Sequence, residues 1–241
     1  MNKTRTYLAC LALAGAAFAA QAGVTFTPTV VSDYDFRGIA QSAKKPALQA
    51  SVDWSGGPFH LGAWTSNMDF EAPTKFFGDK HTEVDLSADY SFGSDETAHF
   101  NTGLVYYVYP GQTEIDTPEV WFVVTKGWFS ANLHYSWDWF TASGASSQNE
   151  YYAEANGSWP LGKDTGFGFT AHVGYNGGDY FKTYYKEYTD YGIGLTKSLG
   201  KFNVALKYVD SDGPTIANPD DILVNDSRVI LSVSTTFPWT N

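Results

Sequence analysis

Residues 83–92 read EVDLSADYSF, so that Val84, Leu86, Ala88, Tyr90 and Phe92 alternate with Glu83, Asp85, Ser87 and Asp89. Successive side chains on a strand point to opposite faces, which gives this segment one apolar face and one strongly acidic face. In a soluble sandwich the apolar face would meet a core and the charged face bulk water. In an outer-membrane barrel the apolar face meets lipid and the charged face a wet lumen. The same period of two recurs along the chain, without a helical period and without the roughly 20 consecutive apolar residues of a spanning helix. It predicts about twelve strands, at 24–36, 47–55, 59–69, 82–92, 97–109, 118–126, 128–139, 150–159, 166–175, 186–197, 201–210 and 227–237. Lengths of about 9 to 14 residues suit a tilted membrane-crossing strand.

The connections separate the two solvents further, because tight and long ones alternate. SGGP (55–58), GSDE (93–96), Lys126-Gly127, PLGKDTG (160–166) and SLGK (198–201) are turn-rich and tight. IAQSAKK after Gly38, EAPTKFFGDKH (71–81), PGQTEID (110–116), TASGASSQNE (141–150), NGGDYFKTYY (176–185) and SDGPTIANPDDILVND (211–226) are long. Short periplasmic turns and long outer loops mark an outer-membrane barrel, and a soluble meander has no reason to keep that asymmetry. Aromatic residues, 17% of the chain, fall near both strand ends, as with Phe129 and Tyr135 or Phe202 and Tyr208, with aliphatic residues between. Two amphipathic rings around an aliphatic band match the two headgroup layers of a bilayer, whereas single aromatics would suit a sandwich core equally well. The expected fold is therefore an all-β, antiparallel up-and-down transmembrane barrel with both termini periplasmic.

Ahead of the barrel, Lys3 and Arg5 precede LACLALAGAAFAA and the small-residue pattern Ala20-Gln21-Ala22, the layout of an export signal cleaved between Ala22 and Gly23. The expected division is thus a signal peptide over 1–22 and one barrel over 23–241 in the Gram-negative outer membrane. Cys10 lies within that signal without a lipobox, so no lipid anchor and no disulfide is expected. Without Lys3 and Arg5 the remainder has 13 Lys and Arg against 26 Asp and Glu, a net charge of −13. That sign argues against a nucleic-acid partner.

Four stretches, VSDYDFRGIAQS (31–42), PALQASVDW (46–54), HLGAWTSNMDF (60–70) and GLVYYVYPG (103–111), together resemble the TorF-type porins of proteobacteria, also called the Gcw_chp family. The similarity is strongest over 31–126, and its most specific pieces are Ser32-Asp33-Tyr34 to Arg37-Gly38 and Tyr109-Pro110-Gly111. The resemblance implies an exported outer-membrane barrel with a channel role, and it brings neither a substrate nor catalytic residues. Such barrels usually end on an aromatic read by the assembly machinery. Phe237 is the candidate for that signal, with Trp239, of the same parity, as its rival.

Giving the apolar parity to lipid assigns the other to the lumen, which then holds Asp33, Asp35, Asp53, Glu83, Asp85, Asp89, Glu119, Asp138, Glu154 and Asp190 against Arg37, Lys207 and Arg228. An acidic interior favours cations, so a passive channel for small hydrophilic solutes with cation preference is the expected function. The competing reading is a barrel plugged by networks of these same charges, structural or adhesive, binding partners through its outer loops. Asp33, Asp35, Arg37 and Asp53, on the first two strands, could meet Arg228 on the last, either as a salt-bridged closure or as an eyelet. A lipid hydrolase is the third reading, because His134 and Ser136 share a face with Asn132 and Asp138, and His172 also faces the lumen. No GxSxG, HExxH or metal-spaced Cys and His cluster supports it, so neither enzyme activity nor a metal or cofactor is expected. The long loops lack calcium-loop spacing. Expected partners are outer-membrane lipid and lipopolysaccharide, the barrel-assembly machinery during insertion, and small polar solutes or cations.

Overall fold

In the computed structural model, residues 23–69, 82–110, 113–139, 146–213 and 223–239 are described. Twelve strands pair antiparallel in chain order and close on themselves. They are β1 (Gly23–Val31), β4 (Ala47–Gly56), β5 (Phe59–Asn67), β6 (Thr82–Gly93), β7 (His99–Val108), β8 (Thr117–Lys126), β9 (Phe129–Ser136), β10 (Glu150–Leu161), β11 (Phe167–Gly177), β12 (Tyr188–Leu199), β13 (Phe202–Ser211) and β14 (Arg228–Thr235). Each coincides with one expected strand, and the acidic segment that frames the question is β6, between β5 and β7. The export signal, Ala22 included, and the 71–81 loop lie outside the described residues, whereas Gly23 opens β1.

The alternation is physical. Val229 and Leu48 are 64% and 65% exposed on the outside, while Glu119 and Glu150 are 1% and 0% exposed on the inside. Where the tight turns lie, aromatic rings touch along the outer face from Phe59 to Tyr90 (5.1 Å), Phe92 (6.0 Å), Phe100 (5.1 Å) and Phe122 (6.1 Å). Trp128, Trp159 and Phe169 continue this at 4.9 and 5.7 Å. Gly127 makes the β8–β9 turn at φ +60°, a backbone region that side chains disfavour.

The β1–β14 seam has the shortest register of the barrel, with three paired positions. Phe26 and Phe237 exchange backbone bonds (2.9 and 2.8 Å), and Ser32 N–H donates to the Leu231 carbonyl (2.9 Å), so even-numbered residues of β1 bond to the last strand. Pro28 occupies the same parity and has no N–H, which removes one rung. Phe237, the candidate assembly signal, closes this seam and stacks between Phe26 (6.3 Å) and Trp239 (4.8 Å).

Two segments depart from the expected layout. The first strand stops at Val31 rather than 36, and residues 32–46, expected to end that strand and form an outer loop, turn into the barrel instead. They carry a small hairpin, β2 (Asp35–Phe36) and β3 (Ile39–Ala40). Polar lumen walls can satisfy such an inward backbone: Ala40 N–H donates to the Val224 carbonyl (2.8 Å) and Asp69 N–H to the Gln41 carbonyl (2.7 Å). Left-handed backbone at Arg37 (φ 50°) and Gly38 (φ 80°) turns the hairpin. A side chain at Gly38 would approach Asp190 Cβ to 2.6 Å and Ser211 Cβ to 2.8 Å, so the tip needs glycine to seat against β12 and β13. The second departure is α1 (Asp179–Tyr184), inside what reads as a polar loop; Phe181 is buried there against Tyr188 (5.3 Å). Around the hairpin, at the long-loop end, Met68, Tyr107, Tyr109, Ile115 and Trp139 form an apolar cluster with Phe36 packed against it.

Candidate functional site

The hairpin tip places Arg37 at the centre of the lumen. Its Nη2 lies 2.6 Å from Glu119 Oε2 on β8 and its Nη1 2.8 Å from Glu150 Oε1 on β10. Three rings, Tyr152 (4.4 Å), Phe36 (4.8 Å) and Trp139 (5.2 Å), surround the guanidinium. A cation in this position is held by planar charge pairing and by aromatic faces together. The far oxygen of Glu119, Oε1, accepts from Tyr107 Oη (3.1 Å) and meets His134 Nδ1 (2.8 Å).

A second knot ties the base of the hairpin to the end of the chain. Arg228 Nε lies 2.9 Å from Asp33 Oδ2, and its Nη2 pairs with Asp35. Asp33 also accepts from Ser42 Oγ (3.0 Å). On the opposite wall Glu83 accepts from Tyr34 Oη (3.0 Å) and Tyr109 Oη (3.2 Å). The hairpin is thereby pinned to β6, β8, β10 and β14 through buried polar contacts.

Below these knots the lumen is hollow. A cavity of about 720 Å³ runs from the turn-end residues Thr125, Trp128 and Ser158 up to Asp33, Asp35 and Arg37. A smaller hollow of about 310 Å³ lies against β4 to β9. In the larger one His172 is bracketed by Asp190 (2.6 Å) and Glu154 (3.3 Å), and Glu154 also accepts from Asn132. Lys207 lines the same cavity, with no hydrogen bond or ion pair among the described residues.

Of the expected lumen residues Asp138 lies past the end of β9, and the others lie inside the barrel, but most of them are not solvated charges. Asp33, Asp35 and Arg228 form the salt-bridged closure, and Arg37 leaves it to join Glu119 and Glu150. Asp53 does not reach Arg228; His60 bridges it (3.2 Å) to Asp89 (2.7 Å), and Ser51 donates to it at 2.6 Å. Asp138 and Asp85 each keep a buried carboxylate oxygen without a hydrogen-bond partner among the described residues. Glu150 is absent from the sequence-based set because it ends the long loop TASGASSQNE, although it shares the parity of Glu154, which was the signal that could have found it. His134 and Ser136 do not form a nucleophile pair: His134 contacts Glu119, and fully buried Ser136 accepts from the Asp138 N–H (3.2 Å).

The sequence model of a family described as "Bacterial protein of unknown function (Gcw_chp)" matches residues 16–237. No curated protein matches the chain. Among solved structures, the NanC porin superposes with a TM-score of 0.57 at 10% identity, over 90% of this chain and 100% of that one. A membrane protein crystallised in meso gives 0.53 at 10% identity, over 88% and 83%. The COG4313 outer-membrane channel of Pseudomonas putida F1 gives 0.47 at 10% identity, over 89% and 94%. For the first two of these the likeness is one of fold, that of a closed porin-type barrel.

Proposed function

We propose that this chain, which belongs to the Gcw_chp family, is an outer-membrane channel that passes small hydrophilic solutes with a preference for cations. The observation that carries this reading is a closed twelve-stranded barrel whose interior holds a cavity of about 720 Å³ beneath one polar constriction. Twelve strands lie between the small barrels filled by their own side chains and the roughly 16 to 18 strands of wide porins, so a narrow path is expected. Asp53, Asp85, Asp89 and Glu154 lie in or beside the two hollows, while Arg37 and Arg228 are neutralised by carboxylates, which favours cations.

Planar-bilayer recording of the refolded barrel tests the reading. A salt gradient should give a reversal potential of cation-selective sign, reduced in an Asp53→Asn and Asp89→Asn double variant. An anion-selective potential would overturn the charge argument. Absence of any conductance would favour the second reading, a plugged barrel, which the buried ion pairs of the hairpin and the apolar cluster around Phe36 support.

Membrane placement has its own test. Leu133, 53% exposed at the middle of β9, would contact lipid tails. Leu133→Arg should lower folding stability in vesicles by about 2–4 kcal/mol, as expected for arginine near the bilayer midplane. Ser130→Arg, facing the cavity from the same strand, should cost far less. Equal costs would remove lipid from the outer face.

A further inference from the structure

Among the described residues two of the expected lumen carboxylates, Asp85 and Asp138, have no donor or cation partner, and of these only Asp85 lines a hollow. Neither oxygen has a donor among the described residues, and Oδ1 is itself buried. Its cross-strand neighbours are Trp64 on β5 and Tyr107 on β7, so aromatic side chains flank it on both sides. In the adjoining row Gly62, Ser87 and Val105 are small, and the hollow of about 310 Å³ opens over them. Trp121 forms a further wall. Its Nε1 donates to Asn101 Oδ1 (2.5 Å), and its ring lies so close over Gly103 that an added Cβ there would come within 2.5 Å of it.

We propose that this hollow binds an organic ammonium cation, with Asp85 as its counter-ion and the Trp64, Tyr107 and Trp121 rings as its walls. No Lys or Arg lines the hollow. The neighbouring acids are already engaged: Glu119 by Arg37, His134 and Tyr107, and Asp53 by His60 and Ser51. A confined carboxylate without a partner is costly, and a cation entering from the lumen removes that cost. One free carboxylate is a poor site for a divalent metal, which wants several oxygens, and the described residues contain no metal-competent group of three. Aromatic faces beside one anion instead suit a weakly hydrated ammonium, and the volume lies at the small end of ligand pockets. The inference deepens the channel reading by naming a solute class.

Choline and dimethylbutanol, its neutral carbon isostere, are the probes, titrated into the detergent-folded full barrel by calorimetry. Choline should bind saturably and at least about ten-fold more tightly than the alcohol, the order expected from charge pairing plus ring contact. Asp85→Asn should abolish that discrimination while Asp95→Asn, at the exposed tight turn after β6, retains it. Equal binding of the two probes by the wild-type barrel, or discrimination that survives Asp85→Asn, would overturn the site. The probe comparison on the wild-type barrel stands even where a variant does not fold. Binding needs no conductance: a barrel that discriminates yet never conducts upholds the site and defeats the channel reading, and one that conducts yet does not discriminate defeats the site alone.

Discussion

Arg37→Met is expected to destabilise the folded barrel by about 3–5 kcal/mol, the usual consequence of removing one partner from a buried ion pair. The magnitude follows from burial, since the Arg37 side chain is 7% exposed and those of Glu119 and Glu150 are 0% exposed. Two carboxylates would then face each other without a cation, and three ring contacts would be lost as well. Methionine keeps much of the side-chain length, so the loss reports charge more than a cavity. Denaturant titration in lipid vesicles, followed in both directions, measures it. Adding Glu119→Gln and Glu150→Gln should recover most of the loss, because a neutral set leaves no buried charge unanswered. The amide at position 119 can still accept from Tyr107 and contact His134 through its carbonyl oxygen. A single variant within about 0.5 kcal/mol of wild type, the range of an ordinary surface change, would mean that the triad holds nothing together.

The barrel was legible because its strands alternate an apolar outer face with a polar inner one and the turns mark their ends. β13 illustrates this: Phe202, Val204, Leu206 and Tyr208 alternate with Asn203 and Lys207, and its bounds differ from expectation by a single residue at each end. Tight and long connections alternate as expected, so the two ends of the barrel could be told apart from loop length. What parity could not give was the path of residues 32–46. Val31, Asp33 and Asp35 continue the alternation of β1, so the sequence looks like a longer strand, although the backbone has left the sheet. The signals for an inward turn were local, Gly38 and the run of small residues Ala40, Ser42 and Ala43, and they suit an outer loop equally well. The partners of Arg37 were hidden for a related reason. Glu119 and Glu150 lie 82 and 113 residues away in sequence, and only closure of the barrel brings them together. The pairing of Asp33 and Asp35 with Arg228 was legible, because first and last strands must meet in any closed barrel.

Replacing residues 33–45 with a short glycine and serine turn should have the largest effect on transport. This segment crosses the lumen, and its removal would join the cavity of about 720 Å³ to the long-loop end. Single-channel conductance should rise several-fold. Inside the lumen the segment carries Asp33 and Asp35 against Arg37, while exposed Lys44 and Lys45 pair with Asp226 and Asp69, so its loss removes one net negative charge from the interior but strips Glu119 and Glu150 of their cation. Cation preference should persist, because Glu119 and Glu150 then outnumber the freed Arg228. Stability should suffer less than in Arg37→Met although more contacts are deleted. In the point variant the hairpin backbone still shields Glu119 and Glu150 from water, whereas in the deletion water fills the vacated space and solvates them together with Glu83 and Arg228. The two variants thus separate the roles of this element: one measures what its charge contributes to the fold, the other what its bulk contributes to resistance. Unchanged conductance after the deletion would mean that the path is closed by the apolar cluster of Met68, Tyr109, Ile115 and Trp139, with the hairpin only lining it.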